Sequence, residues 1–381
     1  MTPNGALIIE GHIQGLSNVR ALGEMGVPVY VADCTCCLAQ YSRYCTKSFR
    51  CPPFLSEEFI PFLIYIGQSE NLSNWLIMAS NDHIVEQLSK HKEELIPYYS
   101  IVVPDYDDLI NIVNKKKLSS IASAVGTHVP KYCSSHDLKA AQLLRYPVLI
   151  KGCTGLSFYK NIHKKAIVAD SFSNLLNETK KIDTSVDYFI QEEIHNKEGI
   201  VISFTCFSID GTIKSYWMGN KLREHPIRYG TATFAQSVYI PELVTEAKPL
   251  IAKLSYTGIC EIEFMLDERD NQYKLIEINP RTWLWVGLAK SCGCNYAQML
   301  YNYVNNIPTI FPDNYKTGYK WVNLLTDIPY AIKAITQKKL SPREYFKSFH
   351  GHIVHAVWCW SDILPGLILP FLSFHILRKR R

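Results

Sequence analysis

What this 381-residue chain lacks narrows it first. Its basic residues never gather into a stripe with interleaved aromatics, and the net charge is only +5, so nucleic acid is not an expected partner. Met1 to Glu10 has no positive region followed by a long apolar stretch and a cleavage site, so no secretory leader is expected. The 12 cysteines include the group Cys34, Cys36 and Cys37, Cys51, and the pair Cys292 and Cys294, but they lack the paired spacing of structural zinc. Free thiols in a reducing cytoplasm are the expectation. No internal repeat or low-complexity linker is visible. The longest uncharged run near the carboxyl terminus, Ile363 to Leu377, is shorter than the roughly 20 apolar residues of a spanning helix.

What is there reads as an ordinary globular protein, 47% apolar and 20% charged, long enough for two or three domains. Ala6 to Glu10 reads as a strand, Ser17 to about Met25 as a helix, and Pro28 to Ala32 as a second strand ending on Asp33. That is a βαβ start without GxGxxG spacing, hence a Rossmann-like scaffold with no nucleotide in it. Trp75 to Ala79 forms a further strand, Ser80-Asn81-Asp82-His83 opens a helix continuing to Lys90, and Ser100 to Val103 closes the domain before Pro104. Tyr106 to Val125 is helical by period. From Tyr146 strands dominate with helices between them, which predicts an α+β body rather than a doubly wound sheet.

The residues that carry chemistry are Glu261-Ile262-Glu263-Phe264 and Lys274-Leu275-Ile276-Glu277-Ile278-Asn279-Pro280-Arg281. Alternation puts Glu261 and Glu263 on one strand face, and Glu277, Asn279 and Arg281 on another. Were these two faces paired, carboxylates and an amide oxygen would converge. Such hard oxygen ligands suit magnesium, with manganese as a substitute, and Arg281 beside them would neutralise a phosphoryl group. The competing reading is a charged, solvated hairpin face.

EIEF and LIEINPR resemble the metal-binding core of the ATP-grasp superfamily, and the likeness extends over most of the chain. Ser42-Arg43-Tyr44 stands where related proteins often carry that triplet. Asn114-Lys115 resembles the first ATP-lysine segment, with Lys116 and Lys117 as competitors, and Tyr146-Pro147-Val148-Leu149-Ile150-Lys151 resembles the second. Ile190-Gln191-Glu192-Glu193-Ile194 resembles the adenine hinge. Lys221-Leu222-Arg223 followed by Gly230-Thr231 is similar to a carboxylate–amine ligase group that includes D-aspartate ligase-like and surface-polysaccharide-associated proteins.

The resemblance implies an ATP-grasp fold, α/β or α+β in class. A Rossmann-like domain would span 1–104 and an ATP-grasp body 105–310, divided into a lysine-bearing part 105–192 and a metal-binding part 193–310. A hydrophobic extension would span 311–381. It implies ATP and magnesium as cofactors, with Lys115 and Lys151 on the phosphates. Gln191 and the backbone of Glu193 and Ile194 would hold adenine, and Glu192 or Glu198 would accept from adenine or ribose. Glu263, Glu277 and Asn279 would hold the metal. Lys221, Arg223 and Arg281 would meet the γ-phosphate or the substrate carboxylate, with Arg228 a weaker candidate. Unlike many relatives, the segment after the second lysine, Gly152 to Ser157, is poor in glycine.

The function so implied is amide formation between a small-molecule carboxylate and an amine through an acyl phosphate, with an amino acid joined to a cell-wall or capsular precursor as the finer expectation. A non-catalytic nucleotide-binding scaffold is the alternative. A homo-oligomer is compatible with either. Residues 352–381 are strongly apolar, carry Trp358 and Trp360, and end in Arg378-Lys379-Arg380-Arg381. Peripheral contact with the cytoplasmic face of a membrane and packing on the enzyme are the two expectations there.

Overall fold

A computed structural model describes residues 4–196, 199–225 and 230–379, leaving aside the side chains of 155–157 and 374–379. The first five strands are β1 (Ala6–Ile9), β2 (Val29–Asp33), β3 (Cys45–Arg50), β4 (Trp75–Ala79) and β5 (Tyr99–Ile101). They form one parallel sheet in the order β3-β2-β1-β4-β5. β1 is an unbroken apolar run because both of its faces are covered: Ala6 and Ile8 enter one core, Leu7 and Ile9 another. The strand order switches direction between β1 and β4, so the helices Ile13–Gly23 and Asp82–Lys90 leave from a crevice at the carboxyl ends of adjacent strands. Asn81 caps the second helix by accepting from the Ile84 N–H at 3.0 Å. Asp33 is consumed by its own loops, accepting from the N–H groups of Gly11 and Thr35.

The stretch expected as one helix, Tyr106 to Val125, is two helices, Tyr106–Val113 and Lys115–Ala124. Asn114 adopts extended geometry (φ −78°, ψ 105°) and its side chain accepts from the Lys117 N–H, ending one helix and starting the next. A small antiparallel sheet follows, made of β6 (Tyr132–Ser134), β7 (Val148–Gly152), β8 (Ile167–Ala169) and β9 (Tyr188–Glu192) in the order β6-β9-β7-β8. It has its own core, in which Val148, Ile150, Phe158, Leu175 and Ile190 are buried.

The largest sheet comprises β10 (Val201–Ile209), β11 (Thr212–His225), β12 (Thr231–Ser237), β13 (Gly258–Asp267), β14 (Gln272–Asn279), β15 (Lys320–Val322) and β16 (Ile353–His355). Their order is β14-β13-β10-β11-β12-β15-β16. Phe204, Ile262, Phe264 and Ile278 on one face bury against Leu243, Ala247 and Leu250 of helix Pro241–Lys253. That packing leaves the opposite face of β13 and β14 to polar residues.

Two expected boundaries do not interrupt the structure. Ile8 and Leu16 share one core with Trp217, Trp283, Trp285 and Trp321, so the core runs across position 104. Beyond 310 the chain does not depart from the body: β15 pairs with Phe234–Gln236 of β12, and β16 pairs with β15. Three-residue strands carry too little alternation to be read from sequence. Asp362 is a buried anchor that accepts from Arg20 Nε (2.8 Å), Ser42 Oγ (2.7 Å) and the Arg43 N–H (2.9 Å). The chain then forms the helix Leu364–Lys379. Among the described residues no helix is long and apolar enough to cross a membrane.

Candidate active site

The decisive register is that of β13 on β14. Glu261 pairs with Asn279 and Glu263 with Glu277, while Ile262 pairs with Ile278 on the apolar face between them. Just beyond, the register shifts so that Ile276 is an extra residue on β14, a bulge that ends the regular ladder next to the acids. Glu263 and Glu277 therefore share one face. Glu261 is fastened behind them, accepting from Ser203 Oγ at 2.6 Å and Asn279 Nδ2 at 3.0 Å. Burial, and then the charge of Glu263, push its carboxyl up to about 7.

Three lysines arrive from three directions. Lys115 starts the helix that Asn114 caps, its backbone N–H donates to Cys153, and its ammonium group donates to Glu277 Oε2. Burial opposes its charge, but Glu277 outweighs that and raises it. In the same pair Glu277 is held down to about 2, mainly by the charge of Lys115. Lys221 on β11 reaches over β10, where Ser203 is small, to Glu263 Oε1 at 2.7 Å. Lys151 comes from β7 of the facing sheet and donates to Gln191 Oε1 at 3.0 Å. Burial, and then repulsion from Lys115, lower its ammonium to about 8.

Arg281 closes the fourth side. Its Nε and Nη2 donate to Asp82 at 2.6 and 3.0 Å, and Nη2 also lies 3.3 Å from Asn279 Oδ1. Asp82 begins the helix at the crevice of the parallel sheet, so this ion pair ties the end of β14 to the amino-terminal sheet. Glu10, at the end of β1, accepts from Asn81 Nδ2 at 2.8 Å and borders the same crevice. Asp82, Ser203 and Glu10 are site neighbours that the sequence does not mark. The sequence shows Asp82 only as part of a helix-opening turn, and a strand serine carries no signal at all.

Several expected members stand elsewhere. Arg223 does not share a face with Lys221. Lys221 pairs with Ala235 but Arg223 pairs with Phe234, so β11 carries an extra residue at Leu222 and the alternation reverses. The Arg223 guanidinium lies 3.9 Å from the Phe234 ring centroid and donates twice to buried Asp327, both bonds 2.8 Å. It fastens helix Leu324–Thr336 to the sheet. Glu192 falls one residue past Gln191 and so on the other face of β9. There its buried carboxylate accepts from the Arg145 N–H and Nε at 2.9 and 3.1 Å, which removes it from the adenine role. The Glu193 N–H donates to Pro147 and its C=O accepts from Arg269 at 2.8 Å. Glu198 and Arg228 lie outside the described residues. The glycine-poor segment after Lys151 turns directly into helix Gly155–Ile162.

Four cationic groups (Lys115, Lys151, Lys221, Arg281) thus face four carboxyl groups (Asp82, Glu261, Glu263, Glu277), and the charges nearly cancel. Such a cluster can accept a polyanion only together with added cations. The ammonium groups of Lys115 and Lys221 rest on Glu277 and Glu263, marking two places where a cation is held by oxygen. With the Asn279 amide oxygen beside them, this donor set fits magnesium or manganese and offers no sulfur or imidazole to a softer ion.

Residues 111–292 match the family model described as carbamoyl-phosphate synthase L chain, ATP binding domain. A D-aspartate ligase of Enterococcus faecium is 22% identical over 229 residues, covering 56% of this chain and 54% of that protein. The chain thus spans about half the length of that relative. Among solved structures, the L-amino acid ligase of Bacillus licheniformis superposes with a TM-score of 0.59 at 18% identity, over 80% of this chain and 75% of that one. The N5-carboxyaminoimidazole synthetase of Staphylococcus aureus superposes with a TM-score of 0.66 at 16% identity, over 90% and 88%.

Proposed function

We propose that this chain, which has the ATP-grasp fold, is an ATP-dependent ligase joining a carboxylate to an amine through an acyl phosphate. One observation carries the reading: Glu263 and Glu277 are direct cross-strand partners, with Lys115, Lys221 and Arg281 converging on their face. A free carboxylate does not acylate an amine at neutral pH, because oxide is its leaving group. Phosphorylation by ATP releases ADP and turns that oxygen into phosphate, which departs when the amine nitrogen attacks the carbonyl carbon and loses its proton.

In this reading Lys115, from the start of its helix, and Lys151, from β7, hold the phosphates, and Ile194 offers its backbone to the adenine edge. Gln191 keeps Lys151 aimed into the cleft. Lys221 and Arg281 meet the transferred phosphoryl group and the substrate carboxylate, where fixed cations stabilise developing charge. Glu263, Glu277 and Asn279 would hold magnesium, which when bound neutralises phosphate charge. As a finer reading, the acid is a cell-wall or capsular precursor and the amine an amino acid, joined at the cytoplasmic face of the membrane. The D-aspartate ligase among the relatives and the exposed apolar tail support it.

The test is phosphate release from ATP with panels of amino acids and envelope precursors, products being identified by mass spectrometry. Release that needs both partners and disappears in Glu277→Ala is the expected result. Nucleotide binding without turnover across the panel would favour a scaffold instead.

A further inference from the structure

From Leu364 to Leu372 the helix Leu364–Lys379 carries no polar side chain, yet only part of that stretch is covered. Ile368, Leu369 and Leu372 pack on the shared core. Leu364, Leu367 and Phe371 point outward, half to three-quarters exposed, at the three- and four-residue spacing of a single helical stripe. Trp360, in the turn just before the helix, has 84% of its surface exposed and stands edge-on to Trp358 at 5.4 Å between ring centroids. Gly366 lets the helix backbone lie against the Trp358 ring, where any β-carbon would come within 2.6 Å. The Asp362 clamp to Arg20, Ser42 and Arg43 fixes this whole assembly to the body. The stripe is therefore presented rigidly.

A second copy of the chain, a partner protein and a lipid surface could each cover such a stripe. The charge pattern selects among them. By sequence the stripe leads into Arg378-Lys379-Arg380-Arg381, four positive charges with no acid after Asp362, whereas the apolar portion itself carries none. An exposed tryptophan, aliphatic and phenyl groups with basic residues next to them in sequence are the composition of a segment that lies on an anionic bilayer surface. At 16 residues the helix is about 24 Å long, too short to span a hydrocarbon core of about 30 Å but suited to lying along it.

We propose that Trp360, Leu364, Leu367 and Phe371 form a membrane-docking stripe that seats the protein on anionic lipid with the helix axis along the surface. This deepens the membrane-side reading above and is independent of the ligase chemistry.

Co-sedimentation of the full chain with vesicles of phosphatidylglycerol and phosphatidylcholine tests it, with pure phosphatidylcholine as reference. The wild type should partition to the mixed vesicles, less so in high salt. Trp360→Ser/Phe371→Ser should lower the partition coefficient at least about tenfold, since each substitution removes a large apolar group from the interface. Both positions are exposed, so the variant should melt with the wild type. No binding of the wild type, or binding that survives the double substitution, overturns the proposal. So does light scattering that shows a dimer which the variant converts to monomer, for then a second copy covers the stripe. ATP binding measured on the same variants separates failure here from failure of the ligase reading.

Discussion

Lys151 should take up a proton when nucleotide binds. Free of ligand, its ammonium is lowered to about 8 by burial and by repulsion from Lys115. At pH 8.5 a group with that value is only about one-quarter charged, against nearly full charge for an ordinary lysine. Phosphates placed against it would restore the charge, so binding of magnesium ADP at pH 8.5 should take up about 0.7 proton. At pH 7 the figure falls to about 0.1. Titration calorimetry in buffers of different ionisation enthalpy reads this number directly as a slope. Lys151→Arg stays charged throughout and should flatten the slope while keeping affinity. The folding linkage runs the same way. The folded residue titrates near 8 and the unfolded one near 10.5, so the unfolded chain binds more protons between those values. The residue's contribution to stability therefore rises with pH across that window. An uptake below about 0.2 at pH 8.5, or an uptake unchanged in Lys151→Arg, would refute the placement of this lysine on the phosphates.

Asp327→Ala should destabilise the fold by about 3–5 kcal/mol in urea unfolding, because it strands the buried Arg223 guanidinium without its partner. Arg223→Met/Asp327→Leu should recover most of the loss, and a cost below about 1 kcal/mol for the single change would mean that this pair does not fasten the segment after 310. Asp82→Asn should leave nucleotide affinity within about twofold while lowering kcat ten- to a hundredfold, since Arg281 loses the contact that orients it. Equal losses in both quantities would assign Asp82 to binding alone.

The sequence by itself determined the opening strand, the strand and capped helix around Asn81, and the two β-segments that carry Glu261, Glu263, Glu277 and Asn279. All of these rest on local signals: unbroken apolar runs, a short polar cap, and polar–apolar alternation over the four residues from Glu261 and the five from Glu277. It also marked Lys115, Lys151 and Lys221, whose neighbours in sequence are distinctive. Tertiary structure alone decided the rest. One extra residue at Leu222 sent Arg223 to the far face of its strand, and no composition announces a bulge. Glu192 lay one step past Gln191 and met Arg145, while Asp82 met Arg281 from 199 residues away. The strands of three residues after 310 joined the large sheet because an edge with unpaired backbone groups was waiting for them. Residues that share a strand or a helix turn declare their relation in the sequence. Those that meet across sheets do so through packing, which only the folded chain specifies.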